Sequence, residues 1–189
     1  AAQWWSGLSF ATRRKRLNAF RAVMANRAEE LGEVVSRETG KPSGDAFLEI
    51  ALTLGHIGWV GGNAERVLGH RRTKGSLMSP HLAGTIEHRP FGVVGVIGPW
   101  NFPVFTPMGA IVSALAAGNT VVLRVPEEAP SGGLILAQLA VEAGFPAGVL
   151  NALAGMGPES GEALVGHPKV RLVSFTGSAP TGRIIARTC

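Results

Sequence analysis

The stretch from Arg89 to Pro126 constrains this chain more than any other, because it changes periodicity twice within a short span. Val93, Val94, Val96 and Ile97 form a short β-branched run, the pattern of a strand buried on both faces of a parallel sheet. Gly98-Pro99 stops it. After a two-proline turn, Met108, Ile111, Val112 and Leu115 recur at helical spacing, with Pro107 where a first-turn proline is tolerated and Gly118-Asn119 as the stop. Val121, Val122 and Leu123 resume the β-branched pattern. Strand, helix, strand is a crossover unit, so the two strands are expected to be parallel.

Asn101 then falls just past the carboxyl end of a buried strand, where open α/β sheets bind ligands. Its side-chain amide could donate to a carbonyl oxygen that becomes negative under nucleophilic attack. Turn chemistry alone also accounts for an Asn between two prolines, and the local residues leave both readings open. Two glycine loops follow later strands, Gly155 to Gly161 and Gly177 to Gly182. Neither has the G-x-G-x-x-G spacing, and tight turns or close helix packing explain each equally well. Both lead from a strand end into a helix N-terminus, where backbone N–H groups can face an anion.

From Ser9, a candidate N-cap, Leu17, Phe20, Met24, Leu31 and Val35 line one helical face, with a break expected near Asn26 and a C-cap at Gly40. Lys41 invites a phosphate-binding reading, but the P-loop spacing is missing. Ser43 is the expected cap of a second helix carrying Ile50, Leu54, Ile57, Gly61, Ala64 and Leu68. Residues 69–83 read as a loop, and Thr85 to Arg89 as an exposed strand. Beyond the central unit, a helix through Leu134 to Ala143, a strand Val149 to Leu153, a helix Pro158 to Val165 and a strand Val170 to Phe175 complete an alternating order. Such alternation implies a mostly parallel, doubly wound sheet. The expected organisation is one unit over 1–189, with a helical part (1–68), a separate segment (76–89) and a Rossmann-like α/β part (90–189).

Composition narrows the function classes. A net charge of +5 raises a nucleic-acid or anionic-lipid reading, yet the basic clusters Arg13-Arg14-Lys15-Arg16 and Arg71-Arg72-Thr73-Lys74 lack interleaved aromatics and are expected to be solvated faces. No apolar run reaches the ~20 residues of a membrane helix. The single Cys189 excludes an internal disulfide and a cysteine zinc site, and fits a reducing, cytoplasmic compartment. The five histidines lack metal-ligand spacing, so no metal is assigned. Starting without Met and ending in a helical pattern, the sequence reads as an excerpt.

Four ordered segments resemble the aldehyde dehydrogenase superfamily: Glu38-Thr-Gly-Lys-Pro42, Gly92 to Pro103, Ala117 to Leu123, and Phe175-Thr-Gly-Ser178. The resemblance runs from about Trp4 to about Arg187. It implies N-terminal helices followed by a Rossmann-like sheet, and an enzyme that oxidises an aldehyde to a carboxylic acid through a cysteine thiohemiacetal and a thioester. The implied cofactor is NAD, with NADP possible. By resemblance Asn101 holds the oxyanion, Ile97, Gly98, Pro99 and Trp100 flank the nicotinamide and its ribose, and Gly177 and Ser178 approach the pyrophosphate. Gly157 and Gly161 lie near the adenine side, and Arg124 and Glu127 face the adenosine ribose. Phe102, Phe105 and Thr106 form part of the aldehyde channel.

The sequence departs from the family at Arg124, where lysine is usual. Arginine keeps the charge but not the compact geometry, and could clasp the 2′-phosphate of NADP, whereas the Glu127 carboxylate would repel it. The family's nucleophilic cysteine and general-base glutamate lie in segments beyond Cys189, and Cys189 itself is not expected to act as nucleophile. The resemblance further implies homo-oligomerisation, with residues 76–89 as the candidate arm. The rival to an enzyme portion is a non-catalytic dinucleotide-binding module or a truncated-gene remnant.

Overall fold

In the computed structural model, which describes residues 1–75, 77–78 and 81–189, four helices come first: α1 (Ala2–Ser6), α2 (Phe10–Asn26), α3 (Ala28–Thr39) and α4 (Ser43–Leu68). Two short strands follow, β1 (Arg71–Lys74) and β2 (Ala83–Ile86). Strand β3 (Val93–Ile97), helix α5 (Phe105–Ala116), strand β4 (Thr120–Arg124), helix α6 (Pro130–Glu142) and strand β5 (Leu150–Leu153) then alternate. A wide helical turn at Gly157–Gly161, helix α7 (Glu162–Val165), strand β6 (Val170–Phe175) and helix α8 (Ala179–Thr188) complete the order.

β3 to β6 form one sheet in the order β5-β4-β3-β6, with every pair parallel. The chain steps outward from β3 to β4 to β5, then returns to place β6 on the other side of β3. This reversal is a topological switch point, and Ile97, the last residue of β3, is in register with Arg124 on one side and Phe175 on the other. The sheet's two faces are covered unequally. One face packs with α2 to α6 into a large core that includes Leu17, Phe20, Met24, Ile50, Met108, Ile111, Leu123 and Leu136. The other carries a small cluster of Ile97, Leu164 and Val165, with Phe175 and Ile185 packed against it.

Local chemistry sets the helix ends. Ser9 caps α2, its hydroxyl accepting the Thr12 N–H at 3.2 Å. Gly40 ends α3 at φ +71°, a conformation that only glycine adopts without strain. Leu17, Phe20, Met24, Leu31 and Val35 are all fully buried, as their spacing predicts.

Several expectations need correction. The N-cap of α4 is Pro42, whose carbonyl accepts from Asp45 and Ala46, so the helix has already begun at Ser43 and no serine cap forms. Within the expected loop 69–83, Arg71–Lys74 is a strand paired antiparallel to Ala83–Ile86; all eight residues are exposed, so no hydrophobic period betrays them. The exposed strand expected at Thr85 to Arg89 accordingly ends at Ile86. Pro158 to Val165 is a wide turn followed by a single short helix. Arg13 is not a solvated residue of its basic cluster: it is buried, stacks on Phe10, and donates through Nε to Ala116 O at 2.9 Å at the end of α5. That burial holds its pKa below the ordinary arginine value. The arm expected at 76–89 includes Ser76, Ser79 and Pro80, which lie outside the described residues.

Candidate functional site

A cleft of about 880 Å³ opens at the carboxyl ends of β3, β4 and β6, at the switch point. Ile97, Gly98, Pro99, Trp100, Asn101, Arg124, Glu127, Gly157, Gly161, Gly177 and Ser178 all line it. Residues far apart in sequence therefore meet because parallel strands deliver their C-terminal loops to one edge. Val165, Phe175, Ile184 and Ile185 add apolar wall between α7 and α8. The volume and the mixture of apolar wall with a few polar groups suit a small organic ligand.

Arg124 and Glu127 organise the β4 end. Arg124 donates from Nη2 to the Glu127 carboxylate and, at 3.0 Å, to Gly155 O, while Nε reaches Ser160 Oγ at 3.4 Å. Its side chain is only 7% exposed, against 31% for Glu127. The second oxygen of Glu127 accepts the Gly157 N–H at 3.3 Å. Partial burial pushes the Glu127 pKa up, but its own backbone N–H, Arg124 and the Gly157 N–H outweigh that and hold it below the ordinary value. The carboxylate is thus ionised, fixed and turned toward the cleft.

The loop carrying Asn101 is held from behind. Lys41 Nζ donates to Asn101 O at 2.7 Å and to Glu49 Oε2 at 2.6 Å, and lies 4.3 Å from the centre of the Phe102 ring. Glu49 Oε1 accepts the N–H groups of Val104 and Phe105 at 2.9 and 3.0 Å, at the start of α5, where the helix dipole favours an anion. The Glu49 side chain is fully buried. A carboxylate so placed and deprived of its partners would cost roughly 3–5 kcal/mol. Among the described residues, the Asn101 carboxamide takes part in no hydrogen bond, while the residue is exposed and lines the cleft.

On the opposite rim, Ser178 caps α8, its hydroxyl accepting the Thr181 N–H at 3.3 Å. Gly177 lies against the Phe175 ring, and a Cβ there would stand 2.5 Å from Phe175 Cζ, so a larger residue would force the ring to shift. A Cβ on Gly161 would meet nothing within 4 Å, so that backbone borders open space. Cys189 is exposed, following the last turn of α8.

The model of the aldehyde dehydrogenase family matches residues 1–189, the whole chain. The chain belongs to the aldehyde dehydrogenase family. Among curated relatives, it is 37% identical over 182 residues to the mitochondrial succinate-semialdehyde dehydrogenase of Arabidopsis thaliana, covering 95% of this chain and 33% of that protein. It is 39% identical over 183 residues to the N-succinylglutamate 5-semialdehyde dehydrogenase of Burkholderia ambifaria, covering 97% and 37%. Among solved structures, an NADP-dependent enzyme of E. coli superposes with a TM-score of 0.93 at 33% identity over 100% of this chain and 39% of that one. An NAD-dependent benzaldehyde dehydrogenase from Corynebacterium glutamicum gives 0.89 at 32% identity, over 99% and 40%. The chain spans 33–40% of the length of these four proteins.

Two features of this aldehyde dehydrogenase chain escaped the sequence reading. The motif Glu38-Thr-Gly-Lys-Pro42 does more than stop a helix: both Glu38 carboxylate oxygens accept the Ser131 N–H at 3.0–3.1 Å, pinning the start of α6, and Lys41 reaches the Asn101 loop. Glu49 carried a signal, for a carboxylate stands among Ala46, Ile50, Thr53 and Ile57 on the buried face of α4. Its partners could not be read from the pattern. Among the described residues, no group of His, Cys, Asp and Glu has the geometry to hold a metal ion, and no helix is long and apolar enough to cross a membrane.

Proposed function

We propose that the cleft is the dinucleotide-binding half of an aldehyde-oxidising active site, and that NAD is its preferred cofactor. The observation that carries this reading is the convergence of Asn101, the Arg124–Glu127 pair and the start of α8 on one cleft at the switch point. When bound, NAD supplies a hydride acceptor. The groups of this chain fit it in turn: the apolar wall of Val165 and Ile185 takes a flat purine, and the Glu127 carboxylate accepts from ribose hydroxyls. The N-terminus of α8, with Gly177 and Ser178, faces the pyrophosphate. Ile97, Gly98, Pro99 and Trp100 border the nicotinamide end, and Gly157 and Gly161 line the turn beside the adenosine.

Asn101 stands at the nicotinamide end with an uncommitted carboxamide. Its Nδ2–H donates to the oxygen of an aldehyde as that oxygen acquires negative charge, an interaction strongest in the transition state. Phe102, Phe105 and Thr106 lead away from it along the start of α5 as the beginning of a substrate channel. The substrate is an aldehyde, and assembly into a homo-oligomer through the arm around β1 and β2 belongs to the same reading.

The test is Asn101→Ala in this chain continued through the remainder of the family's length. Turnover is expected to fall about 10²- to 10³-fold in kcat with NAD affinity nearly unchanged. A variant that unfolds, or that keeps its full rate, would make Asn101 a turn residue only.

A further inference from the structure

Lys41 is absent from the cleft wall, yet its ammonium ends on the backbone of the residue that matters most there. Three partners surround it: Glu49 Oε2 at 2.6 Å, Asn101 O at 2.7 Å and the face of Phe102 at 4.3 Å. The lysine side chain is 14% exposed. Its partner Glu49 simultaneously accepts from the N–H groups of Val104 and Phe105. One ion pair therefore grips this segment at two points, at Asn101 through the ammonium and at Val104–Phe105 through the carboxylate. The grip comes from outside the sheet, from the turn after α3 and the first half of α4.

We infer that the Lys41–Glu49 pair is a positioning device for Asn101, setting the place of its backbone and hence the direction in which its carboxamide donates. The catalytic meaning rests on the oxyanion role proposed for Asn101; the positioning itself does not. A loop bounded by Pro99 and Pro103 has few backbone N–H groups with which to anchor itself, and among the described residues its last bond to the sheet is the long 3.5 Å contact from Gly98 N–H to Arg124 O. A charge-assisted bond to the Asn101 carbonyl supplies the missing anchor, and Glu49 holds the ammonium at that spot while its second oxygen fixes the start of α5. An error of about 1 Å at such a donor is enough to reduce catalysis severely. Lys41 is thus a positioning residue that touches no reacting atom.

The test is solution NMR of the 189-residue chain without ligand. In the wild type, the Lys41 Nζ protons should exchange slowly enough to give a resolved signal, with cross-peaks to the Phe102 ring. The amide order parameters of Asn101 and Phe102 should be near the rigid value of about 0.85. In Lys41→Met they should fall below about 0.6 and the Asn101 carbonyl ¹³C signal should shift, while the amides of Val93–Ile97 stay as in the wild type; the melting temperature should fall as well, because the buried Glu49 carboxylate loses its cation. Lys41→Arg, which can still bridge a carboxylate and a carbonyl, should restore the rigid values. An unchanged Asn101 in Lys41→Met, or loosening spread evenly through the sheet, overturns the inference. Should Lys41→Met fail to fold, the wild-type signal decides: an Nζ resonance averaged with those of solvated lysines overturns it equally. Because these readouts concern only the loop, they stand or fall separately from the kinetics of Asn101→Ala.

Discussion

Arg124 donates into the Glu127 carboxylate from one turn of chain away, and the same Nη2 also donates to Gly155 O at 3.0 Å. The guanidinium is therefore tied inward, and the carboxylate is the charge presented to the cleft. Arginine where the family usually has lysine raises the prospect of a clasp for a 2′-phosphate, but here its Nε and Nη2 donors are directed to protein acceptors, which leaves Nη1 alone to offer such a contact.

Cofactor choice follows from that pair. NADP should bind this chain at least about tenfold more weakly than NAD, since a like charge facing the 2′-phosphate readily costs the 1.4 kcal/mol that this represents. Glu127→Ser should improve NADP binding far more than NAD binding. Calorimetric titration with both dinucleotides reads this directly, and equal affinities in wild type and variant would place Glu127 away from the ribose.

The same carboxylate gives a pH dependence with a definite sign. Glu127 has its folded pKa held below the unfolded value of about 4.3, so the stability it contributes is present in full above that value and is lost as pH falls through the lowered folded pKa. Thermal melts from neutral pH into the acid range should show the wild type losing stability more steeply below about pH 4 than Glu127→Gln. Parallel curves would mean that the pairing with Arg124 and Gly157 contributes nothing.

Arg13 makes a prediction about the scaffold. Its guanidinium bonds to Ala116 O and Leu8 O, and Met at this position would fill the space but leave those carbonyls without a donor. At 1.5–3 kcal/mol for a charged hydrogen bond, Arg13→Met should cost roughly 3 kcal/mol in urea unfolding without altering dinucleotide affinity. A loss below about 1 kcal/mol would show that water replaces the arginine readily.

Cys189 is predicted to be chemically idle. The 189-residue chain alone should form no NADH from NAD and a panel of aldehydes, and Cys189→Ser should change nothing. Turnover abolished by that substitution would make Cys189 a nucleophile after all.

Much of the site was legible because its positions follow from periodicity. β3, α5 and β4 announce themselves through β-branched runs, a helical stripe and glycine or proline stops, and a parallel sheet then delivers Asn101, Arg124 and Gly177 to one edge whatever their side chains. What stayed hidden depends on contacts through space or on the lack of a burial contrast. β1 and β2 pair with every side chain exposed, so nothing alternates. Trp5 is fully buried, with Nε1 donating to Leu115 O at 2.9 Å, yet it lies in a five-residue helix too short for a period. Arg13 belongs to a run of four cations and only its contact with the end of α5 distinguishes it. Lys41 meets Asn101, and Glu49 meets Val104 and Phe105, across separations that no local pattern encodes.

The central claim is that this cleft binds a dinucleotide, and the most direct measurement is an NMR titration of the ¹⁵N-labelled chain with NAD. Saturable one-to-one shifts are expected at Ile97–Asn101, Arg124–Glu127, Gly157–Gly161 and Gly177–Ser178, with the β1–β2 hairpin unaffected. No saturable binding at millimolar NAD, or shifts centred away from the carboxyl ends of β3, β4 and β6, would contradict it.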